Sequence, residues 1–237
     1  MYRNNKILIT ICARGGSKGV PGKNLSVLQG KPLLAHTITQ AQAFRFADRI
    51  VVSTEDQNIK ACAEQYGVAV PFLRPKALAT DSSGRVPAVI HAVKKAEKLW
   101  SENYDIVIDL GNVSPLRTAR DIEETVKKLI SLPNTDIVYS VNESHRNPYF
   151  NLVELNSQQY SQLVKKSSKP ILRRQDAPIT YDMNDAVYAI WKKALYKYKT
   201  FRLKRTRVYV MPKDRSIDID TPFDLELARY LLEKRKT

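Results

Sequence analysis

The residues best suited to chemistry lie in a glycine-rich stretch near the start of the chain. Residues 13–24 read Ala-Arg-Gly-Gly-Ser-Lys-Gly-Val-Pro-Gly-Lys-Asn and hold four of the eight glycines in the sequence. Glycines let the backbone bring several amide N–H groups close to an anion. Arg14, Lys18 and Lys23 add the positive charge that a bound triphosphate needs. The patterns Gly-x-Gly-x-x-Gly and Gly-x-x-x-x-Gly-Lys-Ser/Thr are both absent, so neither a dinucleotide fingerprint nor a Walker motif is present.

A pair of carboxylates near the end of the chain is the second feature that can support chemistry. Asp218 and Asp220 stand two positions apart in a segment predicted to be extended, where such side chains point the same way. Two hard oxygen donors on one side suit Mg²⁺, whose remaining ligands come from water and phosphate oxygens. Asp220 or Thr221 could instead cap the helix that follows, and the two roles are compatible.

The elements that would position these residues follow an alternation of strands and helices. Short β-rich runs predict strands at residues 6–12, 49–54, 106–110 and 136–141. Helical patterns between them predict helices near residues 32–43, 57–66, 86–102 and 119–131. This order gives right-handed βαβ units and a parallel sheet. Ligands of such sheets bind at the carboxyl ends of the strands, which is where the glycine-rich loop lies.

The alternation breaks at residues 142–183, which are rich in Asn, Gln, Ser and Pro. We interpret this stretch as an arm inserted into a single domain that spans residues 1–237, because it lacks the apolar runs of a second core. Strands are then predicted at residues 185–191 and 207–211. The chain closes with an amphipathic helix at residues 222–234.

The charge balance makes polyanionic partners worth considering, because Lys and Arg outnumber Asp and Glu by 39 to 24. Eight basic and no acidic residues lie in 192–207, interleaved with aromatic ones, which leaves RNA binding as an alternative function. No zinc finger, helix-turn-helix or RNP-like motif supports that alternative. The opening apolar run is too short for a signal peptide and no stretch could span a bilayer, so we predict a cytoplasmic protein without membrane contact.

Residues 11–24 resemble the signature of the acylneuraminate cytidylyltransferases, the CMP-sialic acid synthetase family. The resemblance covers almost the whole chain, with gaps in residues 142–172. Its other motifs are Leu73-Arg74-Pro75, Ser114-Pro115-Leu116-Arg117, Asn184-Asp185-Ala186-Val187-Tyr188 and Asp218-Ile219-Asp220-Thr221. It implies a Rossmann-like, three-layer α/β nucleotidyltransferase with a mostly parallel sheet and an inserted dimerisation arm. Such an enzyme couples an acidic nine-carbon sugar to the CMP moiety of CTP and releases pyrophosphate.

The same resemblance assigns roles to individual residues. The predicted catalytic residues are Arg14, Lys23 and Asp218. The predicted nucleotide-binding residues are Ala13, Arg14, Gly15, Lys23, Asn24 and Arg74. The predicted sugar-binding residues are Arg85, Gly111, Arg174 and Tyr188, although Tyr188 in an apolar strand could equally be a core residue with a satisfied hydroxyl group. Asp218 and Asp220 correspond to the magnesium site of the family, so Mg²⁺ is the predicted cofactor.

Two departures from the family fall on the sugar side. Gly111-Asn112-Val113 stand where many relatives have Gln-Pro-Thr, and the family glutamine at 111 helps to read the sugar. Phe150 stands where some relatives carry a sugar-binding lysine. We therefore predict a nonulosonic acid other than N-acetylneuraminate, such as a legionaminic-type sugar. A second enzyme function, activation of 3-deoxy-octulosonate, is disfavoured by Lys23-Asn24 and by the Asp-Ile-Asp-Thr segment.

The resemblance also predicts a homodimer in which the arm at residues 142–183 makes the contact between subunits. Phe201 aligns with an aromatic residue that relatives contribute across the interface. A twofold dimer is in any case the most common oligomer. CTP, the acidic sugar and a second copy of the chain are thus the predicted partners, and nucleic acid is not among them.

Overall fold

A central sheet flanked by helices carries the site residues. The computed structural model describes residues 2–16 and 20–235 of the chain. Its strands are β1 (Ile7–Cys12), β2 (Val27–Leu28), β3 (Lys31–Pro32), β4 (Arg49–Ser53), β5 (Ile106–Leu110), β6 (Ile137–Glu143), β7 (Val153–Leu155), β8 (Ser161–Leu163), β9 (Tyr181–Trp191) and β10 (Thr206–Val210). Its α-helices are α1 (Leu33–Ala43), α2 (Gln57–Gln65), α3 (Arg85–Trp100), α4 (Ala119–Ser131), α5 (Lys192–Tyr198) and α6 (Pro222–Lys234).

The main sheet has the strand order β10-β6-β9-β5-β1-β4. β9 runs antiparallel to both of its neighbours, β5 and β6, whereas the other pairs are parallel. The prediction of a mostly parallel α/β sheet is therefore confirmed. Because β9 is reversed, Val187 in its middle lies beside Leu110 at the carboxyl end of β5, and its first residues pair with the carboxyl end of β6. This part of β9 therefore reaches the edge of the sheet where ligands are expected.

The central strands are buried on both faces, and the alternating direction of their side chains produces three layers. Ile7, Ile9 and Ile11 of β1 face one side of the sheet, where they pack in a core with side chains of α1, α2 and α4. Leu8 faces the other side and packs in a core with side chains of α3 and α5. Successive strand side chains point to opposite faces, so an almost wholly apolar strand is what a sheet covered on both sides requires.

Side-chain caps fix the starts of three helices. Asp56 accepts hydrogen bonds from two backbone N–H groups of α2. Thr118 with Asp121, and Thr221 with Asp224, form capping boxes at α4 and α6. Since Thr221 caps α6, the two aspartates before it are not needed for that purpose.

β9 and α5 differ from the sequence-based expectation. β9 begins at Tyr181, four residues before the predicted strand, and its first residues pair with the end of β6. These residues are exposed, so backbone hydrogen bonds hold them in the strand and no apolar pattern marks them. α5 lies within the basic stretch and was not predicted, because only Ala194 and Leu195 of its seven residues are buried.

The predicted arm contains the antiparallel hairpin of β7 and β8, all of whose residues are exposed. Large apolar side chains are exposed along this part of the chain, namely Leu152, Val153, Leu155, Tyr160, Leu163, Val164, Leu172, Ile179, Tyr181 and Met183. That the arm mediates dimerisation stays a prediction. Among the described residues, no helix combines the length and the apolar character that crossing a bilayer requires.

Candidate active site

Two adjoining clefts open at the carboxyl ends of β1, β4 and β5. They measure about 280 and 220 Å³ and share Cys12, Arg14 and Arg85 in their walls. The first cleft is completed by Arg74, Leu78, Thr80, Asp81, Ser83, Gly84 and Ala88. The second is completed by Gly16, Lys23, Asn24, Gly111, Asn112, Val113 and Asp185. Several of the predicted nucleotide-binding residues, which are far apart in the sequence, thus meet around these clefts.

Hydrogen bonds hold the described part of the glycine-rich loop at both of its ends. The N–H of Ala13 donates to the last carbonyl group of β4 (3.0 Å), and the N–H of Gly15 donates to Oε1 of Glu55 (2.8 Å). Nδ2 of Asn24 donates to the carbonyl oxygen of Arg14 (2.9 Å), which ties the end of the loop back to its beginning. The described residues at the two ends of the loop are therefore held in place by the protein itself.

Arg74 braces this loop from below. Its side chain is buried, and its Nη2 atom donates to the carbonyl oxygen of Ala13 (3.1 Å) and to Oε2 of Glu55 (2.6 Å). These two contacts hold the Arg74 guanidinium group through its Nη2 atom. Arg74 stands in the wall of the first cleft, as the resemblance implies, but its visible contacts position the loop.

Arg14 and Lys23 are the described basic residues of the loop that line the clefts, while Lys18 lies outside the described residues. Nη1 of Arg14 forms an ion pair with Asp81 (2.7 Å) in which both side chains are well exposed. Such a pair contributes little to stability, so an incoming phosphate can displace Asp81 at low cost. Nζ of Lys23 donates to the carbonyl oxygen of Ile219 (2.7 Å) and to Oδ1 of Asp220 (2.9 Å).

The contact of Lys23 with Asp220 brings the predicted metal ligands to the loop. Asp218 accepts a hydrogen bond from Ser114 (3.3 Å), while Asp220 is exposed. Burial, together with the nearby carboxylates of Asp220 and Asp185, raises the pKa of Asp218 to about 7. A cation placed among these carboxylates would relieve their repulsion, which is the fit expected for a divalent metal ion.

The donor set would be incomplete without the substrate. Among residues 2–16 and 20–235, no three side chains of His, Cys, Asp or Glu come together as a ready metal site. The pair Asp218 and Asp220 supplies two carboxylates. Mg²⁺ commonly keeps several waters and binds substrate phosphates as well, so two carboxylates beside a triphosphate cleft are compatible with it.

Arg85 is fixed beneath the region that the two clefts share. Its Nε atom forms an ion pair with the buried carboxylate of Asp109, and its guanidinium group lies over the ring of Tyr188 (5.1 Å to the ring centre). Tyr188 stacks in turn on Phe201 (4.7 Å between ring centres) and donates a hydrogen bond to Asp185. Tyr188 is only 4% exposed, so within this chain it supports Arg85 from the core.

Gly111 marks a close approach of two strands. A Cβ atom at this position would collide with the backbone carbonyl oxygen of Asp185 and lie 3.2 Å from the carbonyl carbon. Arg117, which is buried, donates to the carbonyl oxygens of Gly111 and Ala186 and so holds the strands together. Asp185 itself adopts a positive φ of 48°, a conformation that aspartate tolerates better than most residues.

Arg174 lies apart from the other predicted sugar-binding residues. It is an exposed residue of the arm, its guanidinium group donates to the carbonyl oxygen of His145, and it lines a separate cleft with Asn147 and Thr180. The structure of one chain therefore brings Arg85 and Gly111 together and leaves Arg174 outside. The reason is that the arm departs from the sheet at the end of β6.

Comparison with known proteins decides the family. The sequence profile described as Cytidylyltransferase matches residues 8–236, which is nearly the whole chain. The chain belongs to the cytidylyltransferase family. It is 36% identical over 231 residues to the CMP-N,N'-diacetyllegionaminic acid synthase of Legionella pneumophila, covering 96% of this chain and 97% of that protein. It is 32% identical over 230 residues to the N-acylneuraminate cytidylyltransferase of Escherichia coli, covering 97% of this chain and 53% of that protein.

A solved cytidylyltransferase shares the fold. The structure of CMP:2-keto-3-deoxy-manno-octonic acid synthetase complexed with CTP has a TM-score of 0.69, with 97% of this chain and 99% of that chain covered. At 20% identity this likeness concerns the fold alone. The predicted family is thus confirmed. The octulosonate alternative is supported only by this likeness of fold. The basic RNA-binding alternative has no support from the family to which the chain belongs.

The sequence-based prediction missed several residues of this cytidylyltransferase site. Glu55, Asp109 and Asn112 were not selected, although each lies at or just after the carboxyl end of a strand. Nδ2 of Asn112 donates to the carbonyl oxygen of Cys12 (2.8 Å), and both residues line the second cleft. A polar residue at that end of a predicted strand was the signal that would have found them.

Removing Glu55 tests whether it organises the loop. We expect Glu55→Ala to lower the free energy of unfolding by about 2 kcal/mol, because the substitution leaves the buried guanidinium group of Arg74 without its charged partner. Urea denaturation measures the change. Asp176→Ala is the matched control, since it removes the partner of the exposed Arg173, and a change below about 1 kcal/mol is expected there. Equal stabilities of the Glu55 variant and the native chain would contradict the assignment.

Proposed function

We propose that the chain transfers the cytidylyl group of CTP to the anomeric hydroxyl group of a nonulosonic acid. The anomeric oxygen forms a bond to the α-phosphorus, the bond from that phosphorus to the bridging oxygen of the β-phosphate breaks, and pyrophosphate leaves. The hydroxyl proton is released in the same reaction. The observation that carries this proposal is the contact between Lys23 of the loop and Asp220 of the carboxylate pair, at 2.9 Å.

The residues of the two clefts have separable tasks in this reaction. Arg14 and Lys23 neutralise the triphosphate, and Asn24 keeps the loop closed around it. Asp218 and Asp220 would hold Mg²⁺. When bound there, the ion supplies charge neutralisation at the phosphates and lowers the pKa of a coordinated hydroxyl group. We assign the reaction to the cytoplasm, where CTP is available.

The sugar is proposed to be a nonulosonic acid other than N-acetylneuraminate. Gly111 has no side chain that could bind the sugar, and the backbone of Asp185 leaves no room for a side chain at this position. One relative with 36% identity is named for N,N'-diacetyllegionaminic acid, which supports a substrate of this type. Phe150 in place of a basic residue points in the same direction.

Pyrophosphate release tests the reaction and the substrate together. Purified chain would be incubated with CTP, Mg²⁺ and one acid at a time from N,N'-diacetyllegionaminic, pseudaminic, N-acetylneuraminic and 3-deoxy-octulosonic acids. We expect turnover with a nine-carbon acid and the highest kcat/KM with one other than N-acetylneuraminic acid. Highest kcat/KM with N-acetylneuraminic acid would refute the substrate proposal, and turnover of the eight-carbon acid alone would favour the octulosonate alternative. No CTP binding at all would overturn the function.

We further propose that the enzyme is a homodimer joined through the arm. The exposed apolar side chains of the hairpin support this, because apolar area of this kind is usually covered by a partner. Sedimentation analysis is expected to give a dimer, and Leu155→Glu, at a side chain 60% exposed in the single chain, is expected to give a monomer. A monomeric native chain would contradict the proposal.

A further inference from the structure

The reaction proposed above requires a second anion, the sugar carboxylate, to lie next to the triphosphate. A second anion needs a cation that the triphosphate does not occupy. Within the part of the chain that the structure describes, the basic residues lining the two clefts are Arg14, Lys23, Arg74 and Arg85. Arg14 and Lys23 belong to the glycine-rich loop, where the triphosphate is expected.

The other arginines near the clefts are either buried or lie elsewhere. Arg74 donates to a carbonyl oxygen and to Glu55 and is 6% exposed. Arg117 donates to two carbonyl oxygens and to Gln40 and is buried. Arg174 lies on the arm and lines neither cleft.

Arg85 differs from these arginines in both exposure and bonding. Its side chain is 28% exposed and stands in the walls of both clefts. The closest contact of Arg85 with Asp109 is through its Nε atom, so its two terminal nitrogens are not the atoms that make this pair. The terminal nitrogens of a guanidinium group form the edge that binds a carboxylate with two parallel hydrogen bonds.

The protein has fixed this guanidinium group at an unusual cost. Asp109 is a fully buried carboxylate in the apolar strand β5; Thr10 donates to its Oδ1 atom (2.8 Å), and Arg85 contacts its other oxygen. The ring of Tyr188 supports the flat face of Arg85. A buried carboxylate in the centre of a sheet is strongly unfavourable unless it is paired, so its place here is explained by holding Arg85.

We infer that Arg85 binds the carboxylate of the sugar acid through its terminal nitrogens, and that Asp109 is the positioning residue that orients it. This inference rests on the proposed cytidylyl transfer to a nonulosonic acid. It names the group that recognises the acid function shared by all such sugars. It gives a single chain a cation for the carboxylate, although Phe150 replaces a basic residue of some relatives and Arg174 of the same chain lines neither cleft.

Arg85 stays cationic throughout the pH range of an assay. Burial by itself lowers the pKa of its guanidinium group, but the carboxylates of Asp109 and Asp185 outweigh this effect and the pKa is raised. A change in the protonation of Arg85 itself therefore need not be considered in the experiment.

The experiment compares two substrates that differ only at C1: the nonulosonic acid that the native enzyme turns over fastest, and its C1 carboxamide. Loss of the charged hydrogen bonds predicts a preference for the acid of roughly 10- to 100-fold in kcat/KM for the native enzyme. In Arg85→Gln this ratio is expected to fall to nearly one, while the KM for CTP changes by less than about twofold. Asp109→Asn is expected to lower the ratio partly, and the double variant to lower it no further than Arg85→Gln alone.

Arg205→Gln is the matched control. Arg205 also pairs with a buried aspartate, Asp136, but lines neither of the two clefts, so the ratio should stay at the native value. Asp185→Asn is a second control, for which the acid-to-carboxamide ratio is expected to change in the opposite direction. Its negative charge lines the second cleft and repels a carboxylate, so removing it should raise the ratio.

The outcomes separate failure of this inference from failure of the proposed function. An unchanged ratio in Arg85→Gln, with turnover intact, would show that Arg85 does not bind the carboxylate. A raised KM for CTP with an unchanged KM for the acid would assign Arg85 to a phosphate instead, and would also overturn the inference. Absence of turnover by the native enzyme with every nonulosonic acid would refute the proposed function itself. If Arg85→Gln does not fold, Arg85→Lys takes its place: lysine keeps the charge but not the two parallel hydrogen bonds, so the ratio is expected to fall partly, and an unchanged ratio would overturn the inference.

Discussion

Asp218→Asn is expected to lower the rate of pyrophosphate release by roughly a thousandfold, because it removes one of two proposed metal ligands and with it several kcal/mol of transition-state stabilisation. Asparagine has the same shape and still accepts the hydrogen bond from Ser114, so the fold should not change. The measurement is kcat at saturating CTP and sugar over a range of Mg²⁺ concentrations. CTP binding in the absence of metal should be retained, since the loop residues are untouched.

Asp214→Asn is the matched control for this prediction. Like Asp218, Asp214 precedes helix α6. It forms an ion pair with Arg235 and lines neither of the two clefts. Exposed pairs of this kind contribute little, so kcat and its dependence on Mg²⁺ should match those of the native chain. A native rate in Asp218→Asn, at any Mg²⁺ concentration, would show that Asp218 is not a metal ligand of the reaction.

Gly111→Gln is the second change with a large expected effect, and it restores the residue that many relatives carry. We expect it to lower the free energy of unfolding by about 3 kcal/mol, at the upper end of overpacking effects, since the backbone of Asp185 occupies the space of the new side chain. Relief would require β5 and β9 to separate, against the hydrogen bonds of Arg117. Urea denaturation measures the loss.

Gly16→Ala provides the control for stability, because a Cβ atom at residue 16 meets no other atom within 4 Å. Its free energy of unfolding should equal that of the native chain within about 0.5 kcal/mol. The glutamine variant should also fail to gain activity toward N-acetylneuraminic acid. A stable Gly111→Gln variant that turns over this acid would show that the glycine sets substrate choice without any constraint from the strand beside it.

The fold was largely predictable because its determinants are local. The apolar run of β1 and the capping pairs Thr118–Asp121 and Thr221–Asp224 each act within a few residues, and a single sequence displays them directly. The early part of β9 was not predictable in this way. Its residues are exposed, and only pairing with a strand some 40 residues earlier places them in the sheet.

The site residues that lie in family motifs could be predicted from the sequence, whereas those whose role depends on contacts between distant elements could not. The loop and Asp218 could be selected from the sequence because their residue types suit phosphate and metal binding. Asp109 could not be assigned a role, since its role depends on the ion pair with Arg85, which lies on another element. Gly111 was noticed as a departure from relatives, but its physical reason, the backbone of Asp185, is a contact between strands.

The hydrogen bond between Lys23 and Asp220 joins positions separated by 197 residues. The ribosome therefore synthesises the glycine-rich loop long before it synthesises the segment that contains Asp218 and Asp220. During that interval the early strands can form, since their pairings are with each other, while the nucleotide cleft lacks its carboxylates. A chain cut short before residue 218 would thus contain every strand of the main sheet but lack the carboxylates proposed to hold the metal ion, so we expect it to have no transferase activity.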